Sequence, residues 1–341
     1  MGNLPIRHAL IFFVAQYDFP TSLRQNPGTK ISRGTYTRKV RRGSDAAKSM
    51  RLKKHAIFFA TVVAVSLLVA GAIAQSRKAT TIRVMSFNIR YDEPRDGVNA
   101  WPNRKTKAAG VIRFHKADLV GVQEAVLSQL RDLESLVPDF AWCGVGRTDG
   151  KEAGEYSAIL YRKSRFQLLE TKTFWLSETP DKAGSMGWDA AYPRVVTWAK
   201  FKDRVSKKTF FHFNTHFDHR GEKARTESAK LILTRIGELA GKLPFVLTGD
   251  LNVKEDSDAY RTLKAGSSTT HLVDAKYASV NGHFGGDSTF NEFKDLQPGR
   301  KIDYIFVREG IRVFEHAALS DQWNGLWASD HLPVLAEIEI P

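Results

Sequence analysis

The chain has 341 residues, 42% of them hydrophobic and 26% charged, with a single cysteine. That balance supports a large buried core and excludes a mostly disordered, collagen-like or coiled-coil protein, while the lone Cys143 excludes an intrachain disulfide and a cysteine-based zinc cluster. The net charge of +14 suggests a polyanion partner, but twelve Lys and Arg against two acids place +10 of it in residues 1–54, leaving +4 for residues 55–341.

In chain order, the first 49 residues are basic, rich in Arg, Ser, Thr and Gly, and lack periodicity. From Met50 the text changes: Arg51, Lys53 and Lys54 precede an apolar run from Ala56 to Ala74 that ends in Ala72-Ile73-Ala74 before Gln75. A short basic start, an apolar stretch and a small-x-small triplet are the marks of a secretory signal peptide. The expectation is that translation starts at Met50, that residues 1–49 are an over-extended reading frame or a disordered leader, and that residues 50–74 export the remainder to the periplasm or the extracellular space. Left uncleaved, the run from 56 to 74 would anchor the chain in a membrane with its N-terminus inside.

From residue 75 onward no repeat and no linker divides the chain, which suits one α/β domain. Strands are expected at Thr81–Asn88, Asp118–Gln123, Tyr156–Arg162, Val195–Phe201, Thr209–Thr215, Phe245–Gly249, Ile302–Val307 and Val334–Ile340. Helical patterns fall at about Arg104–His115, Val126–Leu136, Glu222–Leu239 and Asp256–Ala265. Several strands follow one another without a helix between them. The pattern predicts a mixed sheet or two packed sheets with helices outside, and neither a TIM barrel nor a simple doubly wound sheet.

Polar residues gather where these apolar runs end: Asn88 after MSF, Glu124 after LVGVQ, His216 after FFHFNT, Asp250 and Asn252 in FVLTGDLN, Asp303 in IDYIFV, and Asp330-His331 before the final strand. One such residue is usually a turn or a helix cap, but strand ends on one edge of a layered protein converge. A cluster of carboxylates, amides and imidazoles suits phosphoester hydrolysis assisted by a hard divalent cation, Mg²⁺ with Mn²⁺ as its substitute, because such ions take oxygen ligands.

Taken together and in this order, MSFNIR (85–90), VGVQEA (120–125), NTHFDH (214–219), TGDLNV (248–253), KIDYIFV (301–307) and SDHLPV (329–334) resemble the endonuclease/exonuclease/phosphatase superfamily, the group of pancreatic-type deoxyribonucleases, over residues 80–341. The resemblance implies a four-layer α/β/β/α sandwich of two packed mixed sheets flanked by helices. It makes Glu124 the principal metal ligand, with Asn88 and Asp330 completing or supporting the metal site. It gives Asp250 the task of orienting and deprotonating the attacking water, and Asn252 that of holding the water or a phosphate oxygen. His331 would contact the scissile phosphate with Asp303 fixing its tautomer, and His216 would sit on the other side of the phosphate.

Outside those blocks, Arg104, Arg162 and Arg194 follow aromatic or proline-containing stretches and are candidates to hold phosphate oxygens with a planar fork. His219, with Asp218, reads as a substrate-side loop. Trp175 and Trp188 are either stacking surfaces or core, and Glu178–Trp188 is a loop expected to wall the substrate groove. Three functions compete. A nuclease, cutting nucleic acid as an endonuclease or a 3′-5′ exonuclease, is the leading expectation. A phosphoesterase acting on a phospholipid head group or an inositol phosphate keeps the chemistry and changes the substrate. A non-catalytic binding protein on the same fold has the least support, because no residue of the constellation is missing. No obligate protein partner is implied.

Overall fold

A computed structural model describes residues 42–341. The chain divides into two units, 1–66 and 67–341. Of the first unit, the described residues belong to helix α1 (Arg42–Thr80). Residues 50–68 of α1 are exposed, apolar ones such as Phe58 and Leu68 included. Among the described residues no helix is long and apolar enough to cross a membrane. The leader up to residue 41, and the side chains around the expected cleavage site at Ala72–Ala74, lie outside the described residues.

The remaining elements follow in chain order. Strand β1 (Ile82–Asn88) leads through a 3-10 turn (Pro94–Asn99) into helix α2 (Trp101–Phe114). Then come β2 (Leu119–Gln123), α3 (Leu127–Leu136), β3 (Phe140–Cys143), β4 (Ile159–Arg162), β5 (Phe166–Trp175), β6 (Val195–Asp203) and β7 (Thr209–His216). Helix α4 (Glu222–Ala240), β8 (Phe245–Asp250), α5 (Asp258–Ala265), β9 (Leu272–Asp274), α6 (Ala275–Ala278) and β10 (His283–Phe284) follow. The chain ends with β11 (Asp303–Arg308), β12 (Arg312–Ala318), the hairpin β13 (Gln322–Trp323) and β14 (Leu326–Trp327), and β15 (Val334–Glu339).

Two large mixed sheets result, flanked by helices as the sequence implied. One runs β10-β12-β15-β1-β2-β4-β3 and the other β5-β6-β7-β8-β11-β9. The pairs β1–β2 and β7–β8 are parallel, and the N-terminal strand β1 lies between β2 and the C-terminal strand β15.

Alternation along the strands decides which layer each side chain joins, because successive residues point to opposite faces. On β1, Met85 and Phe87 face outward and pack with Trp101 and Ile112 of α2 and Leu130 and Leu133 of α3. On β7, β8 and β11, Phe213, Leu247 and Phe306 face outward onto Ile232 and Ile236 of α4 and Leu263 of α5. The other phase points between the sheets, where Val84, Leu119, Phe210, Val246, Ile305, Val334 and Ile338 form an apolar slab.

That inward phase changes character along the strands. Beyond the slab lies a polar seam. Asn214 donates to the carbonyls of Val122 (2.8 Å) and Ala158 (2.9 Å) on the facing sheet. Its Oδ1 accepts from Gln123 Nε2 (2.7 Å) and Thr248 Oγ1 (2.9 Å), and Thr248 also meets His212 Nε2 at 2.9 Å. Gly121 is required here, because a Cβ would collide with Thr248 Oγ1 and Asn214 Oδ1. One further step along the same phase brings Asn88, His216, Asp250 and Asp303 to the rim.

The strands expected from sequence are present within a few residues. Strands β3, β5, β9, β10, β12, β13 and β14 lie outside the expected set, β5 and β12 being the longest of them. Strand β5 carries charged residues and exposes much of its length, with burial confined mainly to Phe166, Phe174 and Trp175. Strand β12 carries a bulge between Val313 and Glu315.

Candidate active site

Register sets the cluster. At the ends of β7 and β8 His216 pairs with Asp250, and across β8 and β11 Asp250 pairs with Asp303. On the facing sheet Asn88 pairs with Gln123, which puts Glu124 immediately beyond β2. Glu124, Asn252 and Arg90 all hold positive φ, at 62°, 50° and 56°. Strained backbone of this kind collects at functional sites, where the surroundings hold it in place.

Asn88 is the hub between the two sheets. Its Nδ2 donates to Glu124 Oε1 (3.0 Å) and Asp250 Oδ2 (2.9 Å), while its Oδ1 accepts from the Arg90 backbone N–H (2.9 Å). Asn88 thus presents a donor to the two carboxylates and steers them. The Tyr91 backbone N–H holds Glu124 Oε2 at 3.2 Å, and the Asn252 N–H holds Asp250 Oδ1 at 2.9 Å.

Donor atoms of Glu124, Asp250 and His331 lie within 4.8 Å of one another, the one such grouping of three or more His, Cys, Asp or Glu among the described residues. Two carboxylates beside one imidazole fit a hard divalent cation at the carboxylates, the donor chemistry such ions prefer. Asp330 stands outside that trio: its Oδ2 is 3.9 Å from Arg90 Nε and its Oδ1 accepts from Ser329 Oγ at 3.2 Å.

The charges are tuned by burial and by one another. Burial, with the Asp303 charge beside it, pushes Asp250 up to about 7, a value suited to taking a proton near neutrality. Burial opposes the His331 cation, but Asp303 and Asp250 overcome it and hold the ring well above its ordinary value. The Asp303 Oδ2 contact to His331 Nδ1 at 2.9 Å fixes the ring. His216 is the opposite case. Burial, with Arg194 and Arg147 close by, holds it well below its ordinary value and keeps it neutral. Asn252 Nδ2 donates to His216 Nε2 at 2.9 Å, so the ring proton sits on Nδ1.

An open cleft of about 460 Å³ is lined by Glu124, Asp250 and His331 and continues past Arg147, Glu155 and Arg194. The structure brings His216, Asn252, Asp330 and His219 to this cavity as well, with Asp303 behind His331. It does not bring Arg104 or Arg162 there, which corrects both expectations. Arg104 is 1% exposed and donates to the backbone carbonyls of Ile89, Arg90, Tyr91, Asn99 and Ala328. Arg162 is taken by the Ala117 carbonyl and by Asp118 at the far end of β4.

Asp218 is buried and organises its own loop, accepting from the Arg220 and Gly221 backbone and pairing with Arg194. Trp175 is buried, with its indole N–H on the Arg147 carbonyl at 2.7 Å, and neither it nor the Glu178–Trp188 loop lines the cavity. Tyr192 walls the cavity in place of that loop. Sequence reasoning missed Arg147, Glu155 and Tyr192. The available signal was the glycine density of 144–154, which marks a tightly folded loop.

A rim of paired carboxylates, a charged imidazole and a neutral one, set over two packed sheets, defines a phosphoester hydrolase. Residues 85–331 match the model of the Endonuclease/Exonuclease/phosphatase family, and the chain belongs to that family. It is 43% identical to an endonuclease/exonuclease/phosphatase of Bacteroides vulgatus, with a TM-score of 0.74, over 77% of this chain and 100% of that one. It is 37% identical to a mannosyl-6-phosphatase of Bacteroides thetaiotaomicron, with a TM-score of 0.70, over 75% of this chain and 99% of that one. An uncharacterized protein of Acanthamoeba polyphaga mimivirus is 26% identical over 76% of this chain, and the match spans 44% of that relative's length.

Proposed function

We propose that the protein is an exported, Mg²⁺-dependent phosphatase that hydrolyses a small soluble phosphomonoester. The observation that carries this reading is the open cleft of about 460 Å³ around Glu124, Asp250 and His331. Its size matches a monosaccharide-scale ligand. The net charge of +4 for residues 55–341 offers little to a polynucleotide track. The relative described as a mannosyl-6-phosphatase supports a phosphosugar. Export rests on the apolar run from Ala56 to Ala74 and its small-residue end.

Glu124 would hold Mg²⁺ or Mn²⁺, which supplies charge neutralisation at the phosphoryl oxygens when bound. Asp250 receives the proton of the attacking water, with Asn252 orienting that water. The His331 cation, fixed by Asp303, meets an anionic phosphoryl oxygen. His216 stands on the opposite side of the cleft, its Nε2 held by Asn252.

The test is a panel of sugar phosphates, single-stranded DNA, RNA and inositol phosphates at matched salt, with and without Mg²⁺ and with EDTA. Phosphate release from a sugar phosphate, abolished by EDTA, by Asp250→Ala and by His331→Ala, is expected. Faster cleavage of DNA or RNA than of every sugar phosphate would return the assignment to the nuclease expected from the sequence.

A further inference from the structure

We propose that Arg147, Glu155 and Arg194 form a specificity subsite for an uncharged, hydroxyl-bearing leaving group, a reading that rests on the phosphatase assignment above. The subsite is built on the loop between β3 and β4. Gly146 and Gly154 let that loop fold back on itself, because a Cβ at the first would strike the Ala153 carbonyl and one at the second Thr148 Oγ1. The Arg147 N–H donates to the Glu155 carbonyl at 3.0 Å, so the two side chains emerge side by side. They close a two-point ion pair of 2.8 and 2.6 Å. Trp175 pins the Arg147 carbonyl from below.

Beside this pair lie two buried polar atoms without a hydrogen-bond partner, Arg194 Nη1 and His216 Nδ1. Arg194 is 5% exposed, and its remaining donors are taken by Asp218 (3.3 Å) and His219 Nδ1 (3.0 Å). Both orphan atoms belong to residues that border a small cavity of about 10 Å³ shared with Arg147 and Glu155. That volume admits about one oxygen-sized group.

A hydroxyl satisfies this arrangement: its oxygen accepts from Arg194 Nη1 and His216 Nδ1, and its O–H donates to Glu155. Charge argues the same way. Arg147 and Arg194 are balanced by Glu155 and Asp218, so a second phosphate gains no net attraction there and meets a carboxylate. The rim adds the half-exposed Tyr192, stacked on His219 at 5.8 Å and 18° with the Arg147 guanidinium over its ring at 5.2 Å, so that it braces the Arg147 side of the subsite.

The experiment compares kcat/KM for mannose 6-phosphate, its analogues lacking one ring hydroxyl each, and p-nitrophenyl phosphate, with Mg²⁺ supplied. In the wild type, one deoxy analogue is expected to lose at least tenfold, because a site built around a hydroxyl leaves its own polar groups unpaired when the hydroxyl is missing. In Glu155→Gln that penalty is expected to shrink toward unity. Tyr192→Ala alters a half-exposed rim residue whose loss leaves the core intact. It is expected to raise KM for mannose 6-phosphate more than for p-nitrophenyl phosphate, and it decides the matter if Glu155→Gln fails to fold. Equal handling of all deoxy analogues by the wild type overturns the subsite and leaves the phosphatase reading standing. No phosphate release from any sugar phosphate overturns both.

Discussion

Replacing Asn214 by Ala should destabilise the protein by about 3–4 kcal/mol while leaving its secondary structure unchanged. The side chain is fully buried between the sheets and makes four hydrogen bonds, two donated to β2 and the β4 approach and two accepted from Gln123 and Thr248. At about 1 kcal/mol net for each bond the loss approaches ~4 kcal/mol. Three partners keep a second contact, which sets the lower end: Gln123 on Gly121, Thr248 on His212, and Ala158 on the Val122 N–H. Asn214→Asp should cost more than Ala, because it turns a carboxylate toward two carbonyl oxygens in a dry interior. Urea unfolding followed by circular dichroism measures both, against a total stability of about 5–15 kcal/mol expected for a domain. A loss below about 1 kcal/mol for Ala, or an Asp variant more stable than Ala, would show that the seam does not hold the sheets together.

Acid should weaken the fold through two histidines far from the carboxylate cluster. Burial holds His212 at about 3, and burial together with His283 holds His316 at about 3, whereas the unfolded chain titrates near 6.5. Below 6.5 the unfolded state binds protons that the folded state refuses, so each histidine removes about 1.4 kcal/mol of stability per pH unit down to about 3. Denaturation series at pH 7, 6 and 5 should show a shallower pH slope in His212→Gln than in the wild type, and equal slopes would refute the assignment. Arg104→Met should lower stability by about 3 kcal/mol or more, since five backbone carbonyls, two of them at buried contacts, lose a charged donor. A phosphate-binding Arg104 would instead raise KM without moving the unfolding midpoint, and the two measurements together separate the alternatives.

Much of the architecture was legible because burial and alternation are written into single strands. The run FFHFNTH gives its outward phase to Phe211 and Phe213 and its inward phase to His212, Asn214 and His216, which is the order in which the molecule uses them. The polar residues closing six strands pointed to one rim for the same reason. The arginines were not legible. A guanidinium after an aromatic looks alike whether it meets a ligand or, as with Arg104, backbone carbonyls of distant segments, and only the packing of α2 against the residues after β1 and before β15 separates the two. Arg147 and Glu155 were hidden because eight positions of loop part them and the contact exists only once the glycines fold it. Strand β5 escaped because an edge exposed along much of its length has no inward phase to read.

The two ends of the domain's chain are woven into the centre of one sheet, β15 beside β1, and His331 stands just ahead of that last strand. Asn88 and Glu124 come from the ends of β1 and β2, Asp250 from the end of β8, and His331 from the segment just ahead of β15. A nascent chain therefore carries no working centre, and any premature stop before Asp330 abolishes the cluster and removes a middle strand at once. Phosphoester hydrolysis would thus report on assembly: it requires that His331 and the strand behind it are in place and that both sheets have met.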